Sequence, residues 1–395
     1  MQQYEGLERA EIAAYPLEFS GAGGEYFRVW IVNLLLTLVT LGFYTPLARR
    51  RTAQYFYGHT LVADSPLEFT AAGRRMVVGF ILFVLLYALM KTAAKTGQNT
   101  VVAVMLLAGA ALAPYIWGSA MRFRFNATRW RGVRLQFTAT WGEVYRASLP
   151  AFGLALVWAA GIALTGALAR AGQGRTRVAL LLGLAVAVLA LTLLCIIRLE
   201  YNYKSLMVAR SRIGGQPGRW KPVFGDFVRI WLATAGVFIA TTVVIGGLLV
   251  PATLGGSLAL LRGGKGGLMP VLLGIAAGLA MVLLLFLASA PARAYRDARM
   301  FRLVWDNIGV SHIARFKCHL RPWAYVRLRV KNIVLTLLTL GFYRAFARLS
   351  EYRMKVDSVT LHVKGGLDQL AGQLAREEQA VGDAIADAVG LELIG

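Results

Sequence analysis

Val178-Ala-Leu-Leu-Leu-Gly-Leu-Ala-Val-Ala-Val-Leu-Ala-Leu-Thr-Leu-Leu-Cys-Ile-Ile197 runs for twenty residues without a charge. At about 1.5 Å per residue, a helix of that length crosses the roughly 30 Å hydrocarbon layer of a bilayer. Five further apolar runs accompany it: Val77–Met90, Val101–Trp117, Leu149–Ala169, Ile230–Val250 and Leu268–Ala290. Val77–Met90 and Val101–Trp117 are short for a span, but a short loop joins them, so they read as a helical hairpin. Composition agrees. The chain is 57% hydrophobic and 16% charged, too little charge to cover a soluble chain of 395 residues. The runs predict an all-α polytopic membrane bundle of about six long transmembrane helices.

The net charge of +23 does not call for nucleic acid, because the cations lie between the apolar runs. One set of loops is rich in arginine: Arg49–Arg51 with Arg74 and Arg75, then Arg122 to Arg134, then Arg198 to Lys221, then Arg293 to Arg321. The alternate set is light: Lys91 and Lys95, then Arg170, Arg175 and Arg177, then Arg262 and Lys265. Positive charge is retained on the cytoplasmic side, so the first set is expected there, facing anionic lipid headgroups. Cys195 and Cys318 do not form a disulfide framework. Glu5, Glu8, Glu11, Glu18 and Glu25 against Arg9 give the N-terminal stretch the wrong charge for a signal peptide, so its retention is expected.

The chain repeats itself. Asn33-Leu-Leu-Leu-Thr-Leu-Val-Thr-Leu-Gly-Phe-Tyr44 returns as Asn332-Ile-Val-Leu-Thr-Leu-Leu-Thr-Leu-Gly-Phe-Tyr343. Tyr26 and Arg28 align with Tyr325 and Arg327, and Ala48 and Arg49 with Ala347 and Arg348. Pro66-Leu-Glu-Phe-Thr-Ala-Ala-Gly73 echoes Pro16-Leu-Glu-Phe-Ser-Gly-Ala-Gly23, with a weaker copy at Leu135-Gln-Phe-Thr138. Gly225-Asp-Phe-Val-Arg-Ile-Trp231 mirrors Gly24-Glu-Tyr-Phe-Arg-Val-Trp30. The repeated unit is a short extended piece, an aromatic and basic lead-in, a membrane helix or hairpin, and a basic exit.

Phe19-Ser-Gly, Tyr26-Phe-Arg, Asn33, Thr40-Leu-Gly-Phe-Tyr44, Arg51 and Tyr55-Phe-Tyr-Gly-His-Thr60 together resemble the YjgN-like family of bacterial inner-membrane proteins. The resemblance covers most of the chain and is strongest in its first 75 residues and at the second Thr-Leu-Gly-Phe-Tyr. It departs at Pro46-Leu-Ala, where the family usually has a tryptophan after the proline. The resemblance implies the bacterial inner membrane. The family is a domain of unknown function, so it implies no activity.

The duplicated segments are expected not to cross. Between Lys331 and Arg344 lie only a dozen uncharged residues, about 18 Å as helix, and Gly42 and Pro46 interrupt the first copy. With matching flanks, both copies fit re-entrant or interfacial helices that leave from the cytoplasm and return, which puts both termini there; the rival is an eight-span bundle with both termini outside. Residues 1–365 then form one membrane domain with internal repeats. Short cytoplasmic strands are expected at Val133–Thr138, Ser311–Lys317 and Val359–Lys364, joined by Leu17–Ser20 and Leu67–Thr70 in a small sheet. Beyond Gly366, residues 366–395 read as an acidic amphipathic tail.

No catalytic set and no cofactor motif is visible. His-Glu-x-x-His, Cys-x-x-Cys and Gly-x-Ser-x-Gly are missing, and Cys318 and His319 are adjacent, so on a strand they point apart and share no metal. Gly263-Gly-Lys-Gly-Gly267 lacks the spacing of a phosphate loop. The polar feature that remains is Asn33, Thr37 and Thr40, on one helix face, repeated as Asn332, Thr336 and Thr339. It reads as helix–helix hydrogen bonding or as a polar lining, with Arg28 and Arg327 as a cationic entrance suited to an anionic solute or headgroup. The spans hold no charge at depth, which disfavours a proton-driven carrier. The function expected is a non-enzymatic membrane scaffold or partner-binding protein, with a pore or transporter for a small solute or lipid as the alternative. Anionic lipid and a protein partner or second copy are the expected partners.

Overall fold

A computed structural model describes residues 12–170, 174–263, 268–310 and 314–364. The expected acidic tail, the Gly264–Gly267 part of the glycine-rich turn and Ser311–Ile313 lie outside these residues.

The elements come in five copies of strand, helix, helix, strand. The first is β1 (Ile12–Phe19), α1 (Gly23–Val39), α2 (Thr45–Gly58) and β2 (Thr60–Val62). The second is β3 (Ser65–Phe69), α3 (Gly73–Lys95), α4 (Asn99–Asn126) and β4 (Thr128–Trp130). The third is β5 (Val133–Phe137), α5 (Trp141–Arg170), α6 (Arg175–Ala209) and β6 (Ser211–Ile213). The fourth is β7 (Gln216–Trp220), α7 (Phe224–Gly263), α8 (Leu268–Asn307) and β8 (Ile308–Val310). The fifth is β9 (Ala314–Cys318), α9 (Pro322–Leu338), α10 (Arg344–Val356) and β10 (Val359–Lys364).

The strands form a closed barrel in the order β1-β10-β9-β8-β7-β6-β5-β4-β3-β2. Each strand lies next to its sequence neighbours, and Ile12↔Lys364 to Pro16↔Thr360 close the seam. Connections in such a barrel alternate between its rims. Every connection of one rim is therefore a helical pair, and the connections of the other rim are short. Three of these are two-residue turns with positive φ at both positions: Ala63-Asp64, Arg131-Gly132 and Gly214-Gly215. That is the twist a tight hairpin needs.

This corrects the expected all-α bundle. A closed ten-stranded antiparallel barrel organises the chain, and five helices among the described residues, not six, are long and apolar enough to cross a membrane. They are α3, α4, α5, α6 over Thr176–Ala209 and α7 over Phe224–Gly247. The physical reason for the miss is strand length. β2, β4, β6 and β8 have three residues each, too few to show a period, and exist because closure gives every edge a partner. The strands expected at Leu17–Ser20, Leu67–Thr70, Val133–Thr138, Ser311–Lys317 and Val359–Lys364 correspond to β1, β3, β5, β9 and β10, in a barrel rather than a small sheet.

Burial alternates along the strands. Leu17, Phe19, Trp130, Val133, Phe137, Val310, Ala314, Leu361 and Val363 are buried and fill the interior. Glu18, Glu68, Arg134, Arg212, Arg219, Arg315, Lys317 and Lys364 fall between them and are exposed. From β5 to β9 that outer face is basic. β7 contains Pro217 and Gly218, which disguise it in the sequence. A Cβ at Gly218 would meet the Val208 carbonyl oxygen at 2.2 Å, so only glycine fits.

The repeats share their junctions. The residue after the first strand donates its N–H to the carbonyl just before the second: Ser20 to His59 at 3.0 Å, Thr70 to Ala127 at 2.7 Å, Thr138 to Arg210 at 2.9 Å and His319 to Ser358 at 2.7 Å. A hydroxyl then ties the second strand to its helix, as Thr60 to Phe56, Thr128 to Arg124 and Ser211 to Val208.

The described residues fall into two compact units. One holds the first three repeats with β7, β8 and most of β9 and β10, and so the barrel. The other is Gly225–Asp306 with Cys318–Val359, which carries α8 to α10 and nearly all of α7.

Candidate functional site

The duplicated segments are helical hairpins, α1–α2 and α9–α10, and their shared residues build the turn. At the end of α1, Gly42 N–H donates to Thr37 O at 2.7 Å and Leu41 N–H to Leu38 O at 3.1 Å. This is the Schellman arrangement, with Leu41 at φ 49° and Gly42 at φ 94°. The Thr40 hydroxyl donates to Leu36 O at 2.7 Å and accepts the Tyr44 N–H at 2.9 Å, so one side chain ends α1 and starts α2. The second copy repeats each bond: Gly341 to Thr336 O, Leu340 to Leu337 O, Thr339 to Leu335 O, and Tyr343 N–H to Thr339. Thr37 and Thr336 donate back to Asn33 O and Asn332 O within their own helices.

Asn33 and Asn332 brace the two hairpins. Asn33 is 6% exposed, and its Nδ2 donates to Ala48 O of α2 at 3.4 Å. Asn332 is 1% exposed and does more: its Nδ2 reaches Ala347 O at 3.2 Å, Ser350 Oγ at 3.1 Å and Glu351 Oε1 at 3.1 Å, all on α10. Arg329 pairs with Asp297 of α8 and stands 3.9 Å from Glu351. Burial, with the Glu351 charge second, pushes the nearby Tyr325 hydroxyl up to about 12. The copies lie in different compact units, and within each hairpin the asparagine holds the two helices together.

The hairpin tips are apolar and uncovered. Leu38, Val39, Leu41 and Phe43 are exposed in the first copy, and Leu337, Leu338, Leu340 and Phe342 in the second; Leu41 is 89% exposed and Leu340 91%. Exposed apolar patches of this kind mark surfaces that meet lipid or protein.

Arg28 lies in a cleft between α1 and α2 with Val29, Val32, Arg51 and Gln54. The Arg51 guanidinium carbon is 5.7 Å from the centre of the Tyr44 ring. Sequence reasoning found Arg28 but placed Arg51 only in a basic loop. The α-helical hairpin was needed to bring position 51 back beside position 28. Arg327 is exposed at the matching place on α9, but Ser350 stands where the first copy has Arg51. No group of three or more potential metal ligands occurs among the described residues.

Five helices long and apolar enough to cross a membrane suit a membrane protein, and comparison with known proteins says which kind. The sequence matches the family described as bacterial protein of unknown function (DUF898) over residues 14–388. The chain belongs to this family. Among curated relatives, it is similar to inner membrane protein YjgN of Escherichia coli strain K12, at 25% identity over 157 residues, which is 38% of this chain and 39% of that protein. It is also similar to inner membrane protein YjgN of Salmonella typhimurium strain LT2, at 26% identity over 123 residues, 31% of each. The matched stretches thus span well under half the length of these relatives. No solved structure matches the chain. The family match bears out the YjgN-like resemblance read from the Thr-Leu-Gly-Phe-Tyr segments.

Proposed function

We propose that this DUF898 member is a non-enzymatic membrane platform, whose helical pairs anchor a basic barrel at the cytoplasmic face as a binding surface for an anionic protein partner. The observation that carries this reading is the contrast between barrel and helices. The barrel interior is filled by buried apolar side chains, which suits a rigid body and not a conduit. The five spanning windows are only 6–11% buried within the chain, which leaves their faces for lipid or for another protein. Charge supports this sidedness. Arg134, Arg212, Arg219, Arg315 and Lys317 sit on the barrel, while the α3–α4 turn carries only Lys91 and Lys95 near it. Both described ends, Ile12 and Lys364, pair at the barrel seam and would share its side.

Native mass spectrometry of the gently extracted, tagged chain tests this. A stoichiometric second protein, released by Arg212→Glu with Arg315→Glu, is the expected result. A chain carrying no protein, and conducting a small solute in vesicles in a manner abolished by Asn33→Leu, would overturn it.

A further inference from the structure

We propose that the α1–α2 cleft binds the phosphate group of an anionic ligand, and that the ligand is an anionic phospholipid of the cytoplasmic leaflet; the inference rests on the membrane anchoring argued above. Arg28, Val29 and Val32 supply one wall from α1, and Arg51 and Gln54 supply the other from α2. The exposed Arg28, Arg51 and Gln54 thus line one open cleft with Val29 and Val32. Among the described residues, neither arginine has a carboxylate within ion-pair distance, unlike Arg329 in the second hairpin, which has Asp297 and Glu351. An arginine pair without a counterion fits a phosphate, which takes parallel hydrogen bonds from the guanidinium fork.

Depth selects the lipid. From Val29 to Val39 the helix has eleven uncharged residues, about 16 Å, against about 15 Å for half the hydrocarbon layer. With the Leu41 tip in the leaflet, Arg28 falls at the level of the headgroup phosphates. Arg51, nearer the tip, reaches the same level by extending its side chain toward the interface. Val29 and Val32 then lie against the first acyl carbons. The second copy lacks this chemistry, with Lys331 for Val32 and Ser350 for Arg51.

The test is native mass spectrometry of the full chain titrated with phosphatidylglycerol against phosphatidylcholine. Wild type should prefer phosphatidylglycerol. Arg28→Gln and Arg51→Gln should each lower that preference on the order of fivefold, and the pair by roughly the product. Arg28→Lys with Arg51→Lys should restore part of it, and Arg327→Gln should leave it unchanged. Retention of the preference by the double glutamine variant, or an equal loss with Arg327→Gln, overturns the assignment. Competition by inorganic phosphate would identify a free anion as the occupant and overturn the lipid. A protein partner that stays bound to the double variant leaves the platform reading standing whatever the lipid result.

Discussion

Replacing Asn332 with leucine should destabilise the protein more than the same change at Asn33, although the two residues are copies of each other. The sizes follow from their partners. Asn332 reaches three acceptors on α10, whereas Asn33 has one, at the long distance of 3.4 Å. Asn332 has only two N–H donors to share among these acceptors, one of which is the Glu351 carboxylate; at about 0.6 kcal/mol per contact between membrane helices, roughly doubled for the charged acceptor, the second copy loses ~2 kcal/mol and the first ~0.6 kcal/mol or less. In both copies the Oδ1 is buried without a partner, and leucine removes that cost equally from each, so the term cancels in the comparison. A difference of about 1 kcal/mol remains, or roughly 2–4 °C in unfolding temperature for units of this size. Thermal unfolding of the two variants and wild type in one detergent measures it. A loss at Asn33 equal to or larger than that at Asn332 would refute the bracing role and return both residues to a shared lining.

Three further outcomes follow. Gly218→Ala pushes a methyl into the Val208 carbonyl and should cost about 3 kcal/mol or more, while Gly142→Ala, with nothing within 4 Å, should be neutral or stabilising; chemical denaturation compares them. A nitroxide on Leu41→Cys, in a chain without Cys195 and Cys318, should be open to oxygen and shielded from a polar nickel reagent once in bilayers; equal exposure to both would place the tip in water. Burial raises the Cys318 thiol above its ordinary 9.0, so alkylation of the folded protein should be slow and become fast on unfolding. The sign for stability is that this contribution is present below the unfolded thiol value and is lost as pH rises through the higher folded one, which an alkaline denaturation series reads out.

The parts of the fold legible in the sequence were those with a long signal. Runs such as Val178–Ile197 announce their helices, and a twelve-residue segment that returns with nine identities announces a duplication. Strands survived where alternation reached five residues, as in Val133-Arg-Leu-Gln-Phe137. Ser211-Arg-Ile213 and Thr128-Arg-Trp130 have no period to detect, and Gln216-Pro-Gly-Arg-Trp220 carries the two residues that usually argue against a strand. Their signal was indirect. Gly214-Gly215 and Arg131-Gly132 are hairpin turns by composition, and each stands between a three-residue strand and a five-residue one. The cleft was half legible: Arg28 stood out through the duplication, but Arg51 needed the hairpin to fold back before it became a neighbour.

The duplication itself changes meaning once the bonds are known. In the sequence Asn, Thr and Thr read as a polar face for helix–helix hydrogen bonding or for a lining. In the structure Thr37, Thr40 and Gly42 are spent on reversing the chain, and Asn33 on holding the reversed helices together. Leu41 accepts a left-handed backbone that costs an L-residue roughly 1–2 kcal/mol, and does so in both copies, where glycine would be easier. A turn chosen only for its geometry would avoid that cost. On the leaflet placement proposed above, the large apolar side chain at the strained, outermost position of both hairpins gains its compensation from lipid, since burying leucine returns about 1.5–3 kcal/mol. The repeated motif therefore encodes a chain reversal with an apolar tip, and the residues that distinguish the copies are Arg51 against Ser350 and Thr52 against Glu351.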